Sequence, residues 1–136
     1  MGRSVKELHG KAQSAAVDTL VACKAAGLEV LISCTYRSPE EQDALYAQGR
    51  TKPGAKVTNA RAYQSFHQYR VALDVYPVVH GKPDFSGKAP EWPTMAAIFK
   101  KHGFEWGFDW PTFKEMPHFQ MTGGHSLAYF RAGGEL

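Results

Sequence analysis

The sequence predicts an α+β domain, a small antiparallel sheet with N-terminal helices packed on it. Three observations lead there. Segments of helical period come first, and short β-branched segments are interleaved later. No regular strand–helix–strand period joins them, so a parallel sheet is disfavoured. The chain has 136 residues, enough for one domain, 1–136, and no second.

Val5 to Ala25 reads as the first helix, since Val5, Leu8, Ala12, Ala16 and Leu20 recur at three- and four-residue steps. Gly27 stands just past its end, where a left-handed residue is expected. Leu28–Ser33 is apolar and β-branched and reads as a strand. Ser38-Pro39-Glu40-Glu41 opens a second helix: Ser38 can cap, Pro39 suits the first helical position, and Glu41 completes a capping box. Gly49 stops it after Gln48. Thr51–Tyr63 is rich in loop formers. Arg70–Val75 reads as a strand, followed by turn residues from Val78 to Pro90. Pro93–His102 reads as a helix with Met95, Ile98 and Phe99 inward and Gly103 as its stop. Pro117–Met121 reads as the last strand, leaving a Gly-rich tail from Gly123.

Composition narrows the function classes. The chain is 43% hydrophobic and 21% charged, which excludes a disordered or fibrous chain. No apolar run is long enough to span a membrane. No apolar stretch follows the two basic residues of the first ten, so the sequence predicts a cytoplasmic start without a secretory signal. Cys23 and Cys34 lie in apolar surroundings without metal-binding spacing and read as buried thiols. Net charge is +3, permitting an anionic partner. The positive excess is local: Arg50, Lys52, Lys56, Arg61 and Arg70 fall in a stretch without an acid between Asp43 and Asp74. That stretch reads either as a solvated loop or as a steering surface for an anionic target. Aromatics do not interleave it apart from Tyr63, which speaks against nucleic acid.

Of six histidines, two fall in segments with chemistry: Ser65-Phe66-His67-Gln68-Tyr69-Arg70-Val71-Ala72-Leu73-Asp74 and Glu115-Met116-Pro117-His118. A hydrolytic zinc site takes three N or O ligands and leaves a position for water. The bound water's pKa falls to about 7, and a neighbouring carboxylate can move its proton. The two segments contain these parts. His67 and Asp74 are an odd number of residues apart, so the chain must turn between them. Pro117 keeps the Glu115–His118 segment out of a helix interior, so it is a turn leading into a strand.

With Thr35-Tyr36-Arg37-Ser38, Gln64-Ser65-Phe66-His67, Ala72-x-Asp74, Trp106-Gly107-x-Asp109-Trp110 and Met116-Pro117-His118-Phe119-Gln120 in this order, the sequence resembles the M15 peptidases. These are the VanY-like and L-alanyl-D-glutamate endopeptidase type, phage endolysins included. The resemblance spans Leu28 to Met121 and implies a hedgehog/DD-peptidase-like zinc fold. It implies zinc on His67, Asp74 and His118, with Glu115 as general base and acid. Arg37 would steady the developing charge or the substrate. Ser65 and Gln64 would line the substrate site, and Trp106 and Asp109 would shape or support it. Two departures stand near the site: Arg70 replaces a usual glycine, and Ala62-Tyr63 replaces glycine-rich residues. Both are expected to add bulk there. The short stretch from Tyr76 to Trp92 is expected to leave the cleft open.

The implied activity is hydrolysis of the peptidoglycan stem peptide at the L-alanyl-D-glutamate bond by a monomeric lysin. It would be made in the host cytoplasm and released to the wall by a holin-type route, without membrane insertion or nucleic-acid binding. The alternatives are a D-alanyl-D-alanine carboxypeptidase or dipeptidase, and a non-catalytic wall-binding module that keeps a zinc.

Overall fold

The computed structural model describes residues 1–136. Its elements are α1 (Gly10–Ala25), β1 (Glu29–Cys34), α2 (Pro39–Ala47), β2 (Ala72–Val79), β3 (Lys82–Pro83), α3 (Glu91–Lys101), β4 (Glu105–Trp106), β5 (His118–Gln120) and α4 (Leu127–Arg131). The sheet runs β1-β2-β5-β4, with β3 on β2, and every pairing is antiparallel. The α+β expectation holds.

The two faces of the sheet have different jobs, and strand periodicity separates them. Val71, just before β2, and Leu73 and Val75 on it point into the core, where Trp92, Met95, Ala96 and Phe99 of α3 and Ala12, Ala16 and Cys23 of α1 meet them. Phe119 of β5 joins the same face, stacked 4.4 Å from Phe99 and 6.2 Å from Trp106. The alternate residues Asp74, Tyr76, His118 and Gln120 therefore emerge on the opposite face, where they line a cavity of about 960 Å³. One hydrophobic core thus fixes the register that displays the polar residues.

Several boundaries differ from the sequence reading. The first helix does not start at Val5: a 3-10 turn covers Val5–Glu7, and α1 begins at Gly10. The break lets the His9 N–H donate to the Arg70 carbonyl at 2.9 Å, a tertiary bond that local periodicity does not reveal. β2 does not end at Val75 but continues to Val79, through Pro77. The proline is tolerated because its carbonyl, and so the position its N–H would take, faces Asp84 beyond the end of β5 rather than β1. His80 and Gly81, both at positive φ, then close a two-residue hairpin into β3.

α3 begins two residues earlier than expected, at Glu91, and β5 is shorter than Pro117–Met121. The C-terminal tail is not featureless. Ser126 caps α4, whose Phe130 packs edge-on against Phe66 at 5.9 Å. The Ser38 capping box and Pro39 at the start of α2 are as expected. Both cysteines are free and buried, also as expected. No helix is long and apolar enough to cross a membrane.

Candidate metal centre

His67 sits on a 3-10 turn, Phe66–Tyr69, that opens with a capping box. The Ser65 hydroxyl accepts the His67 N–H at 3.3 Å, and the Gln68 side-chain oxygen accepts the Ser65 N–H at 3.1 Å. Arg70 ends the turn in the left-handed region, φ +62°, and reverses the chain into β2. That is the turn the odd spacing of His67 and Asp74 requires. It also accounts for glycine being usual at this position in the resemblance. Arg70 does not crowd the site. Its guanidinium stacks 4.0 Å from the centre of the Tyr36 ring and donates to the Glu7 carbonyl at 3.0 Å.

The ring of His67 is almost completely buried, and its Nδ1 lies 2.8 Å from the Thr35 carbonyl. A carbonyl can only accept, so Nδ1 donates a proton to it, and Nε2 is the nitrogen that faces Asp74 Oδ1, 3.3 Å away. His118 is oriented in the mirror sense. Its Nε2 donates to the Gln120 Oε1 at 2.8 Å, while the Gln120 amide donates to Glu105 at 3.1 Å. The amide is thereby held with its oxygen toward His118. The Nδ1 lone pair of His118 then faces the same Asp74 Oδ1, at 3.4 Å. One nitrogen of each imidazole and one carboxylate oxygen converge on one spot at the cavity wall. The far nitrogen of each ring is fixed by a buried acceptor, the arrangement that sets ring orientation in metal sites.

The donor set fits a small divalent ion with N and O ligands, and zinc in particular. Cys34, His67 and Asp74 also cluster closely enough to suggest a different triad. In that cluster Cys34 Sγ lies 3.8 Å from His67 Nδ1, the nitrogen already committed to Thr35. The triad of His67 Nε2, Asp74 Oδ1 and His118 Nδ1 leaves the ring bonds to Thr35 and Gln120 intact and is the better fit.

Asp74 also accepts from Arg37 through its second oxygen, at 3.4 Å. Burial alone would raise the carboxyl's pKa. The two histidines hold it well below the usual carboxylate range. Burial disfavours a charged His67, but the Asp74 carboxylate outweighs it and pushes its pKa up to about 10.

Arg37 is itself clamped by the fully buried Gln42 of α2, which accepts from it at 3.0 Å and donates to the Ala60 carbonyl at 2.8 Å. Glu115 precedes the turn that delivers His118, with Oε2 3.8 Å from His118 Nδ1 and its side chain about half exposed. The turn is pinned from behind. Trp106 Nε1 donates to the Met116 carbonyl at 2.7 Å, and the Val75 N–H donates to the Pro117 carbonyl at 2.8 Å. Gly107 is required for this approach: a Cβ there would stand 2.6 Å from the Glu115 carbonyl oxygen.

The structure therefore brings together His67, Asp74, His118, Glu115 and Arg37. Ser65 and Gln64 line the cavity. Trp106 supports the site from the core side and does not line it. Asp109 does neither; it is half exposed and pairs with Lys100 at 2.6 Å. Thr35, Gln42, Gln68 and Gln120 were not assigned roles from sequence. The signal for Gln120 was its place two residues from His118 on a strand, hence on the same face.

Comparison with known proteins agrees with this geometry. A family model described as D-alanyl-D-alanine carboxypeptidase, of the M15 peptidases, matches residues 58–121, which hold His67, Asp74, Glu115 and His118. The chain is 40% identical over 104 residues to the peptidoglycan L-alanyl-D-glutamate endopeptidase CwlK of Bacillus subtilis, covering 70% of this chain and 62% of that protein. Over these residues the chain is similar to the M15 peptidases.

A second relative, the L-alanyl-D-glutamate peptidase of Listeria phage A118, is 33% identical over 121 residues, 88% of this chain and 40% of that protein. The chain thus spans less than two-thirds of the length of either curated relative. The fold matches the Serratia marcescens L-Ala D-Glu endopeptidase ChiX with a TM-score of 0.65 at 19% identity, over 96% of this chain and 87% of that one. It matches VanYB in complex with D-alanine-D-alanine with a TM-score of 0.64 at 18% identity, over 93% and 78%.

Proposed function

We propose that this chain is a zinc-dependent peptidoglycan endopeptidase that hydrolyses the L-alanyl-D-glutamate bond of the wall's stem peptide, acting as a phage lysin. The observation that carries the reading is the convergence of His67 Nε2, Asp74 Oδ1 and His118 Nδ1 beside the Glu115 carboxylate. The two curated relatives named for this bond support the specificity, and the Listeria phage relative supports the lysin role. Zinc on these three residues would supply an electrophile and a water acidified to near neutrality.

The chain's own residues do the rest. Glu115, half exposed at the cavity, takes a proton from the attacking water and passes it to the leaving amine. Thr35 and Gln120 keep the two imidazoles in the required tautomers. Arg37 holds the outer oxygen of Asp74 and presents positive charge to the cavity, where it steadies the carbonyl oxygen as charge develops. The open cavity admits an extended peptide.

Digestion of purified peptidoglycan tests the reading. Zinc-loaded protein should create new D-glutamate amino termini, and Glu115→Gln should abolish them while keeping its metal. Release of free D-alanine without new amino termini would assign a carboxypeptidase instead. Lysis surviving Glu115→Gln would leave only a wall-binding module.

A further inference from the structure

The charged lining of the cavity is unevenly balanced. Arg37 has an acidic partner in Asp74, and Glu115 stands beside His118. Lys56 and Lys114 also line the cavity, and neither forms an ion pair within the chain, in contrast to Lys100. They come from separate loops. Lys56 lies on the loop after α2, and Lys114 directly precedes Glu115. Each is followed or preceded by an exposed apolar residue that also lines the cavity, Val57 at 53% exposure and Phe113 at 75%.

Phe113 has φ +50°, a region costly for an aromatic L-residue, and it lies on the rim of the cavity with its ring in solvent. Nearby basic residues are used differently. Arg50 and Arg61 stack on Tyr46, and Arg70 stacks on Tyr36. Lys114 also reaches an aromatic ring, with Nζ 4.9 Å from the centre of Phe108, but no anion; the positive charge at the cavity without an acidic partner is thus concentrated at Lys56 and Lys114.

We propose that Lys114, aided by Lys56, is the specificity determinant that reads a free carboxylate on the residue donating the leaving amine. This rests on the cleavage reaction proposed above. Glutamate has two carboxyl groups, and continuing the chain uses at most one. The residue on the leaving side of an alanyl–glutamate bond therefore bears a carboxylate close to the reacting nitrogen wherever that group is not amidated. Glu115 protonates that nitrogen, and Lys114 is its neighbour in the chain on the same cavity wall. Val57 and Phe113 add apolar surface beside the two ammonium groups.

The test uses zinc-loaded full-length chain and two synthetic stem peptides, one with the free glutamate carboxylate and one with that group as carboxamide. Wild type should favour the acid in kcat/KM by about tenfold, the worth of two partly desolvated ion pairs. Lys114→Met should bring the ratio to within about twofold of unity, and Lys56→Met should lower it by less. The ratio is internal to each variant, so a partly unfolded variant still reports. Raising the salt should shrink the wild-type ratio. A wild-type ratio near one, or an unchanged ratio in Lys114→Met, overturns the proposal while leaving the peptidase reading intact. Failure of wild type to cut either peptide removes the peptidase reading and this inference with it.

Discussion

Gln120→Leu isolates the part of the centre that lies outside the three proposed ligands. Leucine nearly matches glutamine in volume, so the packing around Phe119 is kept. What is lost is the acceptor for His118 Nε2 at 2.8 Å, which aims Nδ1 at Asp74. Outer partners of this kind are worth 10- to 100-fold in metal affinity, which is roughly 1.4–2.7 kcal/mol. The buried His118 N–H is also left without a partner in the metal-free protein, costing about 1–3 kcal/mol of folding stability. Zinc affinity would be measured by competition with a chromophoric chelator at fixed pH. Denaturant unfolding of the metal-free protein gives the second number. A zinc dissociation constant within twofold of wild type would refute the claim that Gln120 sets the ring's orientation.

Three further outcomes follow from the same geometry. In the metal-free protein, the lowered pKa of Asp74 contributes stability above pH 3.8 that is lost on acidification, and the raised pKa of His67 contributes below pH 6.5 and fades toward about pH 10. Zinc must displace the His67 proton, so its uptake at pH 7 should release a proton; a calorimetric enthalpy independent of buffer would contradict this. Arg70→Ala keeps the left-handed strain and loses the Tyr36 stack and the Glu7 bond, whereas Arg70→Gly loses the same contacts without strain. The glycine variant should be the more stable of the two by about 1 kcal/mol in denaturant unfolding. Trp106→Phe removes the bond to the Met116 carbonyl and should cost about 0.5–1.5 kcal/mol. It should lower kcat with zinc content unchanged, and metal loss would show that the turn positions His118 more than Glu115.

Much of the site was readable because its residues are tied to local structure. Ser65 capping His67 and Ser38 capping α2 are contacts within three residues, and Pro117 excludes a helix by its own ring. The ligand set came from a resemblance in motif order, and the sheet then explains why it works: residues 74, 118 and 120 share one face opposite the Phe119 core.

What the sequence hid depends on distant partners. The break at His9 depends on the Arg70 carbonyl, and Gln42 is buried because Arg37, Ala60 and Gln68 meet there. Asp109 stands in a shared motif, yet its partner Lys100 lies on α3 and away from the cavity. The basic stretch before Asp74 looked uniform in sequence. Its arginines turn out to brace Tyr46 and Tyr36, which leaves Lys56 as the one of the five that lines the cavity.

Zinc-edge X-ray absorption of the zinc-loaded protein tests the central claim most directly. Ligation by His67, Asp74 and His118 predicts one zinc per chain with only N and O neighbours and the scattering pattern of two imidazoles. A sulfur neighbour near the usual zinc–thiolate distance of about 2.3 Å, or a single imidazole, would place the metal at Cys34 and contradict the account.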